Sequence, residues 1–281
     1  MQDDMAAVID ILDTAGLSKS QQRVVDTLRR HPSLIPFADT AEVARHAEVN
    51  NSTVVRTAQS LGYRGWPDLQ RELRARYLTM ISSEQTLIEH GTSQSPLHRA
   101  IEHDLANLRQ TFDLNAQKDA DAAISTLAAA RRIIVLGMGS FAAPASMFAH
   151  LGRIIGYDIT HEGRGGVHLA STLASLGEDD VLVNIALWRT QRQLQAAVES
   201  AKSTGAAIVA ITDIRSGPTA AVADRTLIVP SEGISFFQSI TATTSIVYGL
   251  LAGMEAAHPE HSREALRRTQ KLWNDLDIYR D

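Results

Sequence analysis

The sequence predicts an all-α N-terminal module followed by an α/β domain whose five-stranded parallel sheet is covered by helices on both faces. Three observations predict it. From Arg131 onward, short apolar runs (RRIIVLGMG, DVLVNIAL, AAIVAITD, RTLIVP) alternate with helical stretches. Continuous apolar strands separated by helices belong to a parallel sheet buried on both sides. Between Thr40 and Gly62 two short helical patterns meet at a tight turn, TAEVARHAEVNNSTVVRTAQSLG. Charge is also divided. Residues 18–78 carry ten Lys and Arg against six Asp and Glu, in a chain of formal net charge −5. A basic module on an acidic body suits contact with a phosphate backbone by one end only.

At 281 residues the chain has room for two cores. Its 44% hydrophobic and 21% charged content is ordinary for a soluble globular protein. No apolar run approaches the roughly 18–20 residues of a membrane span, and the acidic start MQDDMAAVIDILD lacks the basic flank of a signal peptide. With no cysteine there is no disulfide, thiolate metal site or thiol nucleophile. Neither the histidines nor the carboxylates fall at metal-ligand spacing: His161 and His168 are seven apart with no HxxxH partner. The expectation is a cytoplasmic protein with no cofactor, metal or membrane partner.

In chain order, residues 1–16 give one or two helical turns with Val8, Ile11 and Leu12 on one side. Ser18 caps a helix carrying Val24, Val25 and Leu28, which ends before Pro32; HPSLIPF is a loop because its two prolines break helices. The next helix runs from about Ala41 to Ala47 with Thr40 as its cap. The one after it runs from about Ser52 to Leu61, with Asn50 and Asn51 at its N-cap and Gly62 left-handed past its end. Ala44, Ala47, Val49, Val54 and Leu61 are spaced to pack the pair together. Asn51, Ser52, Thr53, Arg56 and Thr57 are then presented outward. Short polar groups at a helix N-terminus with an arginine one turn on suit major-groove reading; a helical hairpin with a solvated polar face has the same pattern. Tyr63 and Trp66 plug YRGWPDLQRELRARYL onto this core, with Pro67 at a helix start and Leu69, Leu73 and Leu78 on its apolar side.

Residues 1–80 thus form the helical domain, and the polar stretch 81–96, with Gly91, serines and Pro96, a linker to a domain spanning 97–281. That domain opens with a helix bearing Ile101, Leu105, Leu108 and Phe112, then a second from about Ala116 to Ala130. Five strands follow, separated by helices over about 141–155, 167–176 and 192–204. Helices from about Phe236 to Ala257 and Pro259 to Ile278 close the chain. Ligands of such sheets bind outside the carboxyl ends of the strands, here Gly137–Phe141, Glu162–Gly166, Leu187–Gln191, Thr212–Ser216 and Ser231–Gln238.

The run VNNSTVVRTAQSLGYRGWPDLQREL, with VLGMGS, AITDIRSGPTAAVAD and VPSEGISF downstream, resembles the RpiR/MurR family of transcriptional regulators over about Leu17–Met254. That family joins an N-terminal helix-turn-helix to a C-terminal sugar isomerase (SIS) domain. The resemblance implies a repressor, dimeric or tetrameric, whose SIS domains bind a small metabolite, a sugar phosphate or related carbon-metabolism compound, and thereby alter affinity for DNA, with no catalysis. Arg56 is the leading base or phosphate contact, helped by Thr40, Asn51, Ser52, Thr53 and Thr57; Lys19 and Arg64 are candidates for the phosphate backbone. A homodimer would read a palindromic double-stranded operator, and the apolar helices 97–112 and 236–257 are candidate dimer surfaces.

Two departures from the family pattern stand out. Glu48 holds the place of the usual turn glycine and needs an unusual backbone angle. The phosphate loops of a SIS domain are hydroxyl-rich, whereas here Phe141 fills the fifth position of Gly137-Met138-Gly139-Ser140-Phe141, leaving Ser140 as its one hydroxyl, and ALWRTQRQ replaces the second serine-rich loop. The expected ligand-binding set is Gly137, Gly139, Ser140, Phe141, Glu162, Trp188, Arg189, Thr190 and Glu232. Arg164, Arg189 or Arg192 would hold an anion by charge-assisted pairing, or else are surface residues; Phe141 and Trp188 would line a neutral or planar ligand, or else pack. Three other readings compete. A sugar-phosphate isomerase would use Glu232 as base with His161 or His168 assisting. A dinucleotide enzyme would use Gly137–Ala142 as G-x-G-x-x-A with Glu162 on a ribose. An interaction module would not depend on Arg56.

Overall fold

The computed structural model describes residues 14–31, 36–90, 95–188, 191–215 and 217–279, Glu89 by its backbone alone. Its contacts divide the chain into two units, Met1–Thr92 and Ser93–Asp281. The expected helical turns within residues 1–13 and most of the loop after Pro32 lie outside the described residues.

The first unit is helical. Helix α1 (Lys19–Arg30) opens with a capping box: Gln21 N–H donates to Ser18 Oγ at 3.4 Å and Ser18 N–H to Gln21 Oε1 at 2.9 Å. Helix α2 (Thr40–His46) is capped by Asp39, not Thr40, because the Asp39 carboxylate accepts the Glu42 N–H at 2.8 Å. A charged acceptor one residue earlier outcompetes a hydroxyl at the positive end of a helix. Glu48 and Val49 follow, Glu48 at φ 52 as its place in the turn requires. Helix α3 (Asn51–Ser60) ends at Gly62, φ 88, and helix α4 (Trp66–Met80) starts with proline in its first turn, where no N–H is needed. Val24, Val25, Leu28, Val43, Val54, Trp66 and Leu69 form the fully buried heart of this unit. Each aliphatic side chain there contributes about 1.5–3 kcal/mol by leaving water. The Trp66 Nε1–H reaches the Ala38 carbonyl at 3.2 Å, so its polar edge is satisfied inside. The stretch whose composition marks it as a linker carries helix α5 (Ser83–His90).

The second unit begins with α6 (Pro96–Leu114) and α7 (Gln117–Ala128). Strand β1 (Arg132–Leu136), α8 (Ala142–Ile154), β2 (Ile159–Glu162), α9 (Gly166–Ala174), β3 (Asp180–Ile185), α10 (Arg192–Ser203), β4 (Ala207–Thr212), α11 (Pro218–Val222), β5 (Arg225–Ile228), α12 (Thr241–Ala257) and α13 (Pro259–Asp275) follow. All strand pairs are parallel, in the order β2-β1-β3-β4-β5. Successive side chains alternate between faces. Ile133, Val135, Val181 and Val183 pack with α7, α8 and α12, while Ile134, Leu136, Leu182 and Ile208 pack with α9 and α10. The open edge at β5 is closed by Asn115, whose amide accepts from Ile228 N–H at 2.8 Å and donates to Ile228 O at 2.7 Å. Helix α12 starts at Thr241 instead of near Phe236. Two hydroxyls explain the delay: Ser239 and Thr241 both donate to the Asp104 carboxylate, at 2.5 and 2.6 Å, holding residues 236–240 as a loop on α6.

At the other end of the sheet, Asp180 is fully buried at the start of β3 and accepts from Arg131 at 2.8 Å and Arg132 at 2.9 Å. Burial raises its pKa, but the Arg132 guanidinium, the Gly177 N–H and the Arg131 charge outweigh that and hold the carboxyl below its ordinary range.

Candidate functional site

Functional side chains gather at two places, one in each unit. In the first, α3 turns Val54, Thr57 and Ala58 into the core. At 100° per residue the opposite face carries Ser52, Arg56 and Gln59 at its centre, all three exposed. Asn51 is also exposed, Thr53 is half-buried, and the Arg56 guanidinium rests on Ser52 Oγ at 3.5 Å. The N-cap Asn50 makes no side-chain cap bond, so the positive end of α3 stays open to an acceptor. Gln21 of α1 fixes the far end of the helix, donating to Ser60 Oγ at 2.8 Å.

Thr57 does not belong to this face. It is fully buried and donates to the Thr53 carbonyl at 2.7 Å. The helical period explains the correction: Thr57 lies three residues after Val54 and one before Ala58, in the middle of the core stripe. Gln59 belongs to the face and lies beyond the first turn, where the sequence offers polar residues less distinctively. Lys19 is exposed at the start of α1, Thr40 is half-exposed in the first turn of α2, and Arg64 is exposed, its guanidinium 3.6 Å from Asp68.

The second place lies at the carboxyl ends of the strands. The chain leaves β1 toward β2 on one side and returns to β3 on the other, which makes the β1–β3 crevice the switch point where such sheets take ligands. Gly137 is buried at its floor; a Cβ there would sit 2.6 Å from the Phe141 carbonyl oxygen and 2.7 Å from Ala145 Cβ. Gly139 has φ 59, and Ser140 is exposed beside it. Phe141 is half-buried and packs against the main core, so one of its two expected roles is a packing role.

Glu162, at the end of β2, is 2% exposed. Its carboxylate accepts from Arg164 N–H at 2.8 Å, the Arg164 guanidinium at 3.2 Å and Thr172 Oγ1 at 3.2 Å. Burial raises its pKa, but these three donors hold the carboxyl below the usual range. A ribose-holding acid needs a free acceptor, and Glu162 is already occupied. His161 Nε2 donates to the Gly137 carbonyl at 2.9 Å.

Trp188 follows β3 at φ 63, and its N–H donates to the Asp213 carboxylate at 2.9 Å. The same carboxylate oxygen lies 3.2 Å from Ser231 Oγ, and Ser231 lies 3.2 Å from Gln238 Oε1. The hydroxyl has one proton, and the charged acceptor takes it. Asp213 therefore ties together the loops after β3, β4 and β5. The half-buried Glu232 is anchored through its carbonyl, which accepts from Asn107 Nδ2 at 2.9 Å. Behind it, Ala100, His103, Asp104, Ile234, Phe237 and Gln238 line a cavity of about 190 Å³. Arg189 and Thr190 lie outside the described residues. Asp213, Ser231 and Asp104 are the residues sequence reasoning did not single out.

Residues 12–80 match the family described as a helix-turn-helix domain of the rpiR family, and residues 126–253 match the SIS domain. An HTH-type transcriptional regulator of Haemophilus influenzae is 25% identical over 218 residues, 76% of this chain and 75% of that one. The crystal structure of the sugar isomerase domain of an RpiR transcription factor from Sphaerobacter thermophilus is 30% identical, with a TM-score of 0.61 over 63% of this chain and 99% of that chain. The Vibrio vulnificus NanR protein complexed with ManNAc-6P has the same fold over 96% of this chain and 98% of that one, with a TM-score of 0.59 and 16% identity.

Proposed function

This chain belongs to the RpiR family of helix-turn-helix transcriptional regulators with a SIS domain, and we propose that it is a cytoplasmic, homo-oligomeric, non-enzymatic repressor whose operator affinity is set by a metabolite. The observation that carries the reading is the outward face of α3. Ser52, Arg56 and Gln59 are exposed in line, opposite a buried stripe that anchors the helix to α1 and α2. In this reading α3 enters the major groove. Arg56, Gln59, Asn51, Ser52 and Thr53 meet base edges, while Lys19, Arg64 and the Thr40 end of α2 meet phosphates. Thr57 supports the helix from inside.

A two-fold operator follows from a dimer. A second copy is supported by α6, which leaves Leu97, Ile101, Leu105 and Phe112 between 51% and 83% exposed along one stripe, an arrangement that a partner surface would cover. The effector lies at the strand ends of the SIS unit. It must bind one arrangement of the oligomer better than another, and a coupling of about 1–3 kcal/mol would change operator affinity roughly 5–150-fold. A sensor is favoured over an isomerase by the helix-turn-helix unit carried on the same chain and by relatives that are HTH-type transcriptional regulators.

The test is the salt dependence of duplex binding, followed by fluorescence anisotropy. Log affinity should fall linearly with log salt, with a slope of about −0.9 for each phosphate neutralised. Lys19→Ala or Arg64→Ala should each reduce the slope by about one. Slopes equal to that of the unaltered chain would remove both residues from the phosphate set.

A further inference from the structure

Helix α13 (Pro259–Asp275) buries Ser262 and Ala265 in its first two turns and no residue after them. From Gln270 to Asp275 every residue except Trp273 is exposed. This end of the helix is nevertheless apolar and firmly closed. Leu266, Leu272, Leu276, Ile278 and Tyr279 are between 37% and 68% exposed. The Ile278 N–H donates to the Trp273 carbonyl at 3.0 Å and the Asp277 N–H to the Asn274 carbonyl at 3.1 Å, a Schellman closure with Asp277 at φ 50. The closure brings the Tyr279 ring edge-on to Trp273, with centroids 5.4 Å apart. An apolar surface held in water by a defined cap marks a place that a partner covers. We propose that α13 pairs antiparallel with α13 of a second copy of this chain, an interface separate from the α6 surface.

Spacing and charge both select this occupant. Leu266, Thr269, Trp273 and Leu276 follow one another at steps of three, four and three, the a and d places of a coiled-coil seam. In an antiparallel pair the a places of one helix face the d places of the other. Leu266 then meets Leu276 of the second copy, and Thr269 meets Trp273, so that a large side chain fills the space left by a small one. The two Leu272 side chains flank the two-fold axis. The same patch thus complements itself, as a two-fold contact requires; a parallel pair would stack tryptophan on tryptophan. Residues 259–268 carry three arginines against two glutamates, and residues 269–277 one lysine against two aspartates. Antiparallel pairing sets the net positive half of each helix against the net negative half of the other and opposes the two helix dipoles. The register brings Asp275 of the second copy level with Arg267. There a groove of about 440 Å³, lined by Arg153, Asp158, Arg268, Thr269 and Leu272, lies open beside the helix.

The pairing of α13 stands by itself; the number of copies rests on the α6 pairing proposed above. With both, two α6 dimers join through two α13 pairs at once, so each pair strengthens the other. The result is a tetramer that carries two DNA-reading dimers. The experiment uses the full-length chain. Sedimentation equilibrium at micromolar concentration should give the mass of a tetramer. Leu272→Glu should halve it, because two carboxylates then meet at the axis. Ile101→Glu on α6 should also halve it, and the double variant should be a monomer. An unchanged mass in Leu272→Glu, as when another part of the same chain or an unrelated protein covers the face, overturns the proposal. A dimer that Leu272→Glu splits and Ile101→Glu does not split upholds the α13 pair and removes the α6 reading instead. Direction is read by disulfide cross-linking, since the chain has no cysteine of its own. Leu266→Cys and Leu276→Cys, co-expressed and oxidised, should form a mixed covalent dimer. Neither should link to itself, because in the antiparallel register each thiol lies ten residues, roughly 15 Å, from its own counterpart. Self-linking of Leu266→Cys, or no mixed link, overturns the antiparallel pair.

Discussion

Glu48 offers a test in which the backbone alone decides the outcome. It is exposed and sits at φ 52 in the turn between α2 and α3, a region where an L-residue's Cβ crowds its own carbonyl at a cost of roughly 1–2 kcal/mol. Glu48→Gly removes that crowding. It also gives the unfolded chain extra freedom, which costs about 0.5–1 kcal/mol on folding. The balance is a stabilisation of about 0.5–1 kcal/mol. Glu48→Ala keeps the Cβ and therefore the strain, so it should change stability by no more than about 0.5 kcal/mol. Because the chain has two units, a single global transition would blur the effect. Hydrogen exchange of peptides from α1 and α3 reads the helical unit directly. In the regime where exchange reports opening free energy, glycine should slow these peptides roughly two- to five-fold, since 1.4 kcal/mol is tenfold, and alanine should leave them unchanged. Equal rates for the two variants would refute the account of the turn.

Three further outcomes are expected. Thr57→Val should leave duplex affinity within about twofold, as measured by anisotropy, because Thr57 is buried; a groove contact would lose roughly 1–3 kcal/mol. Gly137→Ala should lower the melting temperature of the sheet unit by roughly 2–12 °C, from an overpacking cost of about 1–3 kcal/mol, since the new methyl meets backbone at 2.6 Å. Asp180→Asn should destabilise the same unit by about 1–3 kcal/mol at neutral pH. The folded pKa of Asp180 is depressed, so its contribution is full above the unfolded value of about 3.9 and is lost as pH falls through the lower folded value. Urea midpoints of the two proteins should therefore converge below about pH 4; a constant gap down to acid pH would count against the Asp180 cluster.

Much of the fold is legible in the sequence because it follows period and punctuation. The strands declare themselves as buried apolar runs, Gly62 marks a turn that needs positive φ, and Trp66 has a large apolar surface to bury, whereas the positive φ of Glu48 follows only from the family resemblance. What is less legible depends on competition between neighbours or on distance. Asp39 and Thr40 are both good caps, and only the geometry shows the carboxylate taking the Glu42 N–H. Thr57 reads as polar, yet the 3.6-residue period places it among Val54, Ala58 and Leu61; the period is the better guide. The start of α12 is set by Asp104, more than 130 residues earlier in the chain, so no local pattern can show it. Asp213 is the strongest case. It stands in a segment that resembles the family, and its role appears only when Trp188 and Ser231, 25 and 18 residues away, converge on it.

The central claim is that α3 reads DNA sequence through Arg56 and its neighbours. Its most direct test is selection of bound duplexes from a random pool, with the full-length chain and with Arg56→Ala in parallel. The account predicts enrichment of a two-fold symmetric site with half-sites about 34 Å apart or a multiple of it. It further predicts that Arg56→Ala loses roughly 1–3 kcal/mol on that site and relaxes preference at one position in each half. A pool that emerges unenriched, or one that the variant enriches in the same sequences with the same affinity, would contradict it.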